Sequence, residues 1–127
     1  MNTKKIFIVA LFTCLSLVGI SQTIGIVDKR SKEFTVPRDL KVDYQVFGYQ
    51  FPNITTRKMI CFSSHVADVK DNFNQCPLGA FFDTGKMRPD DKIVYAGQAG
   101  KFARMVYVTG SGKKTVFYLS KSSFMIK

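Results

Sequence analysis

The chain has no tryptophan, a single histidine and only nine acidic residues among its 127. Each shortage narrows the chemistry. With one imidazole, His65, the metal and nucleophile options reduce to a Cys61–His65–Cys76 ligand set or a Cys61–His65 pair. His65 follows Cys61 by four residues and precedes Asp68 by three, so the three share a face only if one helix runs through them all. The acids Asp83, Asp90 and Asp91 stand in turn-like sequence, where carboxylates usually bond their own backbone. Hydrolysis by paired carboxylates needs two acids held across a cleft, which no spacing here specifies. No glycine-rich phosphate loop follows a strand and opens a helix. Gly110-Ser111-Gly112 lacks the spacing of a nucleophile elbow. No run of five or six like charges is present, which argues against a disordered basic arm for nucleic acid. The expectation is a protein that is not an enzyme, with no catalytic residue, metal site or cofactor.

What is present begins at the N-terminus. Lys4-Lys5 precedes a nearly unbroken apolar stretch from Ile6 to Ile20, and Gly19-Ile20-Ser21 places small residues before a cut between Ser21 and Gln22. A basic start, an apolar centre and a small-x-small site form the pattern of a secretory signal peptide over residues 1–21. A retained anchor is the alternative, but a spanning helix needs about 20 apolar residues and this stretch is shorter. Lipidation of Cys14 is another, although Leu11-Phe12-Thr13 before it is poorly suited and apolar sequence continues beyond.

Cleavage after residue 21 of 127 leaves one domain-sized chain with a single modest core. The leader removes Lys4 and Lys5 and no acid, so the net charge of +10 falls to +8. Such a charge attracts polyanions such as wall polymers, anionic lipid heads or acidic proteins. It also simply keeps a small protein soluble. The two cysteines that remain, Cys61 and Cys76, predict one disulfide in an oxidising compartment. Closing a loop of that length is worth about 3 kcal/mol in the chain-entropy view.

Residues 22–40 read as an extended lead-in, with a short strand in Thr23 to Val27 and Pro37 as a break. From residue 41 to 127 the pattern is that of a single small β domain. Val42, Tyr44, Val46 and Gly48 alternate with Lys41, Asp43, Gln45 and Phe47. Arg57 to Ser63 predicts a second strand, with Ile60 and Phe62 facing away from Met59 and Cys61. Ser64 to Phe73 is the helical candidate, with Val66, Val69 and Phe73 at helical spacing and Ser63 or Ser64 as its cap. Cys76-Pro77-Leu78-Gly79 predicts a turn and Ala80-Phe81-Phe82 a short strand. Lys92 to Ala96 follows after loop sequence. Lys101 to Thr109 alternates most clearly: Phe102, Arg104, Val106 and Val108 oppose Ala103, Met105, Tyr107 and Thr109. Gly110-Ser111-Gly112 turns the chain into a return strand, with Thr115, Phe117 and Leu119 on one face and Val116 and Tyr118 on the other. Phe124 to Ile126 makes a last strand. Many short strands with one helix at most predict a mainly β fold: a small SH3-like barrel or a strongly bent antiparallel sheet with one short helix.

The segments Gly100-Lys101-Phe102-Ala103-Arg104-Met105, Gly110 to Phe117 and Ser122-Ser123-Phe124-Met125 together resemble bacterial SH3-like domains. In that family an aromatic strand leads through a glycine turn to a second strand, then through a short serine-bearing turn to the last. Phe102 and Val116 or Phe117 stand where the family places tryptophan. The resemblance covers about residues 86–127. It implies a binding module at the cell envelope for peptidoglycan or peptides.

Taken together, these features predict a secreted or periplasmic, disulfide-stapled basic β-domain that binds a cell-wall polymer or an envelope or extracellular protein. The expected surface is Lys101, Arg104, Tyr107, Lys113, Lys114 and Tyr118 on and beside the glycine-turned hairpin. No nucleic-acid partner is expected, nor a membrane span after cleavage. The alternative is an inhibitor or immunity-type partner of an acidic enzyme cleft, which an extended loop over Asp83 to Asp91 would favour. A sugar- or peptide-stacking platform of outward tyrosines, from among Tyr44, Tyr49, Tyr95, Tyr107 and Tyr118, would serve the first reading. Asn53-Ile54-Thr55 is a glycosylation sequon by pattern.

Overall fold

Among the described residues, alternating β-branched and aromatic side chains fold into one sheet of nine strands, with one helix laid on it. The computed structural model describes residues 23–37 and 45–127. The leader, Cys14 and the predicted strand start at 41–44 lie outside the described residues. In chain order the strands are β1 (Gly25–Val27), β2 (Glu33–Thr35), β3 (Val46–Tyr49), β4 (Lys58–Phe62), β5 (Ala80–Phe81), β6 (Lys92–Ala99), β7 (Phe102–Val108), β8 (Lys114–Ser120) and β9 (Phe124–Ile126). Helix α1 (Val66–Phe73) lies between β4 and β5. Single 3-10 turns occupy Thr84–Lys86 and Lys121–Ser123.

The sheet order is β5-β4-β3-β8-β7-β6-β2-β1-β9. Most pairs are antiparallel, but β1 with β9 and β4 with β5 are parallel. The sheet is therefore mixed rather than purely antiparallel. β1 and β2, in the stretch read as an extended lead-in, are strands of this same sheet beside β6 and β9.

The sheet is strongly curled. Four strands separate β4 from β2 in its order, which in a flat sheet would set them about 24 Å apart. Yet Phe34 of β2 meets Phe62 of β4 edge-on with ring centroids 6.0 Å apart. The core fills the inside of that curl, where Phe34, Ile60, Phe62, Ile93, Met105, Phe117 and Leu119 are all essentially without solvent exposure. Thr84, beyond β5, takes a hydrogen bond from the Val36 amide and returns one to its carbonyl, at 3.2 and 3.0 Å. These two bonds tie the β5 end to the end of β2. The edge strands β5 and β9 do not pair with each other, so of the two expected forms the closed barrel is not found and the structure is an open, bent sheet. The terminal strands are only two and three residues long, too short to seam a cylinder along its length.

The helix is shorter and less buried than its spacing predicted. His65 occupies the N-cap position without a side-chain cap bond. Ser63 does the anchoring instead: its hydroxyl accepts from the His65 amide and donates to Asp68, at 3.1 and 2.9 Å. Gln45 donates to the other oxygen of Asp68 at 2.8 Å. These donors lower the Asp68 carboxyl below the usual aspartate range. Of the three spaced apolar residues only Val69 packs inward, while Val66 and Phe73 stay 56% and 54% exposed.

The predicted disulfide is corrected by the structure: Cys61 and Cys76 are free, buried thiols. They belong to one small cluster with Ala80, bordered by Phe47 and Val69 beneath α1. Burial pushes the Cys61 thiol up to about 12 and raises Cys76 as well. Disulfide chemistry needs the thiolate, so protonated thiols at this site behave as small apolar packing groups.

Candidate functional site

The six residues expected to form one surface divide between the two faces of the β7–β8 hairpin. The register pairs Ala103 with Leu119, Arg104 with Tyr118, Met105 with Phe117, and Tyr107 with Thr115. Side chains alternate across a strand, so Arg104 and Tyr118 stand together on the outer face while Tyr107 points into the curl. Lys114 lies opposite Val108 on the outer face, and Lys101 sits exposed in the turn between β6 and β7. Lys113, at the hairpin tip, lines a cavity on the other side together with Tyr107.

The outer face has a defined composition. At one end, Lys92 and Lys114 flank Val108 on neighbouring strands. Next comes a patch of Val94, Val106 and Val116 in register. Beyond it Arg104 lies opposite Tyr118, and Tyr118 opposite Tyr49 of β3. Phe102 meets Tyr49 edge-on at 6.4 Å, Tyr49 lies 6.4 Å from Phe47, and the Lys58 ammonium sits 4.1 Å over the Phe47 ring. An ammonium over an aromatic face is held by the ring's quadrupole. Helix α1 covers the β4 and β5 end of the sheet. The tyrosines and Phe102 are half-buried, and Arg104 is exposed. Burial raises the Tyr49 phenol, so it stays a neutral hydrogen-bonding tip on an apolar ring.

No acidic side chain is found on this face among the described residues of β3, β6, β7 and β8, while on β2 the exposed Glu33 stands opposite Val94 at the edge of the valine patch. Its cations stand at both ends, from Lys92 and Lys114 to Lys101 and Lys121 beyond Phe102, with Arg104 between. The seven residues of β7 span about 20 Å at the usual rise per residue. Such a surface suits an extended anionic chain lying along the strands, stacked on rings at one end.

Alternation alone found Arg104, Lys114 and Tyr118. It also put Phe102 on the Arg104 face, and Tyr49 was named with Tyr118 as a candidate stacking ring, but Phe47 and Lys58 were missed as members of the same surface. Phe47 and Tyr49 alternate against Val46 and Gly48, and that signal was legible. What joins them to Tyr118 is the pairing of β3 with β8, which no local pattern announces.

The other expected constellations are separated. Cys61 is buried on β4, and His65 is exposed at the start of α1, so the pair shares no helix face. Among the described residues no three histidine, cysteine or acidic side chains stand close enough to hold a metal ion. The Asp83 to Asp91 loop is pinned rather than extended. Asp83 and Met87 are buried, Thr84 is bonded to Val36, and Asp91 accepts from the Tyr107 hydroxyl and the Gly110 amide at 2.7 and 3.0 Å. Tyr95 packs against Phe124 at 6.2 Å and borders the core, and Tyr44 lies outside the described residues. Among the described residues no helix is long and apolar enough to cross a membrane. No family model, curated protein or solved structure matches the chain.

Proposed function

We propose that this protein is an exported binding module whose outer sheet face holds an anionic, sugar-bearing polymer of the cell envelope. The observation that carries this reading is the row Arg104–Tyr118–Tyr49, with Phe102 against Tyr49, on strands β3, β7 and β8 whose described residues bear no acid. Aromatic rings stack on the apolar faces of sugar rings, and their hydroxyls remain available for hydrogen bonds. The cations along the strands meet the polymer's negative groups and speed encounter. The secretory pattern of residues 1–21, the basic net charge and the resemblance of residues 86–127 to bacterial SH3-like domains support the same reading.

The test is co-sedimentation of the purified protein with isolated cell-wall sacculi across a salt series. Persistence at high salt, with a loss of about tenfold or more in the Tyr49→Ala/Tyr118→Ala variant, is the expected outcome, because each stacking ring is worth about 0.5–1.5 kcal/mol. Binding that disappears at modest salt would reduce the interaction to a basic protein meeting an anionic polymer. Absence of binding at any salt would overturn the proposal and direct the search to protein partners.

A further inference from the structure

On the side of the hairpin opposite the aromatic row lies a cavity of about 420 Å³, between the end of α1, the turn before β5 and the tip of β7 and β8. Its size falls within the range of small-molecule sites. Phe73, Leu78 and Phe81 supply an apolar floor and wall. Gly79 shapes that floor: it adopts φ +100°, and a Cβ there would lie 2.8 Å from the Phe81 ring. Phe73 closes α1 and borders the cavity with about half of its surface exposed.

Three cations, Lys86, Arg88 and Lys113, also line the cavity. Asp91 is the one acid among its described lining residues. Both Asp91 oxygens are already engaged, one by the Tyr107 hydroxyl at 2.7 Å and one by the Gly110 amide at 3.0 Å. The cavity thus combines an apolar floor with an excess of positive charge that its own carboxylate, held by neutral donors, does not balance. Charge-assisted hydrogen bonds from lysine and arginine favour a carboxylate at such a position.

We propose that this cavity binds a small amphipathic carboxylate, with its apolar part on Phe73, Leu78 and Phe81 and its anionic group among Lys86, Arg88 and Lys113. A free inorganic anion would leave the floor unused, and a neutral apolar molecule would leave the cations unused. The site is separate from the outer face, so this inference does not depend on polymer binding.

The experiment is a titration followed by amide and methyl NMR, using octanoate below its micelle concentration, octan-1-ol and inorganic phosphate. Octanoate is expected to shift the resonances of Leu78, Phe81 and Tyr107 saturably. Octan-1-ol should bind about tenfold or more weakly, and phosphate should not reproduce the shifts. The Arg88→Gln/Lys113→Gln variant should lose most of the octanoate affinity while its octan-1-ol binding stays unchanged, which also shows that the variant is folded. Equal affinity for octanoate and octan-1-ol would overturn the proposal. So would competition by phosphate as effective as octanoate's own binding, shifts confined to other surfaces, or no saturation at all.

Discussion

The two faces of β7 and β8 are built from the same two strands, yet they differ in burial and composition. Inward, Ala103, Met105, Phe117 and Leu119 are fully buried and Tyr107 nearly so. Outward, Phe102, Val106, Val116 and Tyr118 are only half-buried, and Arg104 is exposed. The inner face carries the fold, since apolar area removed from water scales with stability. The outer face has rings and cations left in contact with water, where their chemistry is free for a ligand. The difference teaches that two faces of one hairpin can divide burial from exposure, and the proposed polymer contact uses the side with less to lose in stability.

Four measurements would break or sharpen that contrast. The largest effect is expected from Met105→Ala on the inner face, where the cavity left behind should cost about 2–5 kcal/mol in urea unfolding. A cost comparable to that of Val106→Ala on the outer face would contradict the division. Next is Gly48→Ala on β3. A Cβ there overlaps the Phe117 ring and lies 2.7 Å from Ile60. Overpacking of this kind should cost about 1–3 kcal/mol. An unchanged unfolding midpoint would mean that β3 does not press on β8 as described.

The third measurement is alkaline stability. Burial holds the Cys61 thiol up at about 12 from 9.0, and raises Cys76 and Tyr49. Tyr107 is raised by burial first and then by its bond to Asp91. In each case the folded chain keeps its proton more tightly than the unfolded chain does. The stability from these groups is therefore complete below about pH 9 and declines as pH rises toward the folded-state values. Thermal melts should fall progressively above pH 9, and Cys61→Ala should flatten the decline between pH 9 and 12. A flat profile in the unsubstituted protein would mean that the thiol is not buried.

The smallest stability effect belongs to the outer face. Arg104→Ala and Tyr118→Ala should each change unfolding free energy by no more than about 0.5–1 kcal/mol, while lowering retention on sacculi. A large loss of stability in either variant would show that the outer face is structural, and the binding comparison would then need the double variant at a temperature where it is fully folded.

Much of the fold was legible because a period of two is a strong local signal. The inward and outward assignments of residues 46–49, 102–108 and 115–119 follow from alternation alone. The turn at Gly110-Ser111-Gly112 and the last strand at Phe124 were legible from glycine and apolar spacing. Helix α1 misled in part. Val66, Val69 and Phe73 had the spacing of a buried stripe, but the helix lies at the sheet's edge, where β5 is only two residues long, and only Val69 packs against it. The cysteine pair misled because an even count, in a chain read as carrying a secretory leader, is only a statistical sign of a bridge, whereas the structure keeps both thiols as packing groups.

The candidate site was half legible. Arg104, Lys114 and Tyr118 were found on their strand, but Tyr107 was grouped with them although alternation puts it on the other side. Lys86, Arg88 and Asp91 drew attention only as loop residues, because their meeting with Phe73 and Lys113 spans distant parts of the chain.

The sequence by itself determined that the chain is mainly β, where its turns fall and which side chains on each strand face the same way, because these depend on neighbours one or two residues apart. Tertiary structure alone decided the sheet order, the curl that brings Phe34 to Phe62, and the meeting of Tyr49 with Tyr118 across 69 residues of chain. Those contacts depend on which strand edge pairs with which and on how twisted strands wrap around a shared core, and both are set by packing over the whole domain rather than by any local pattern.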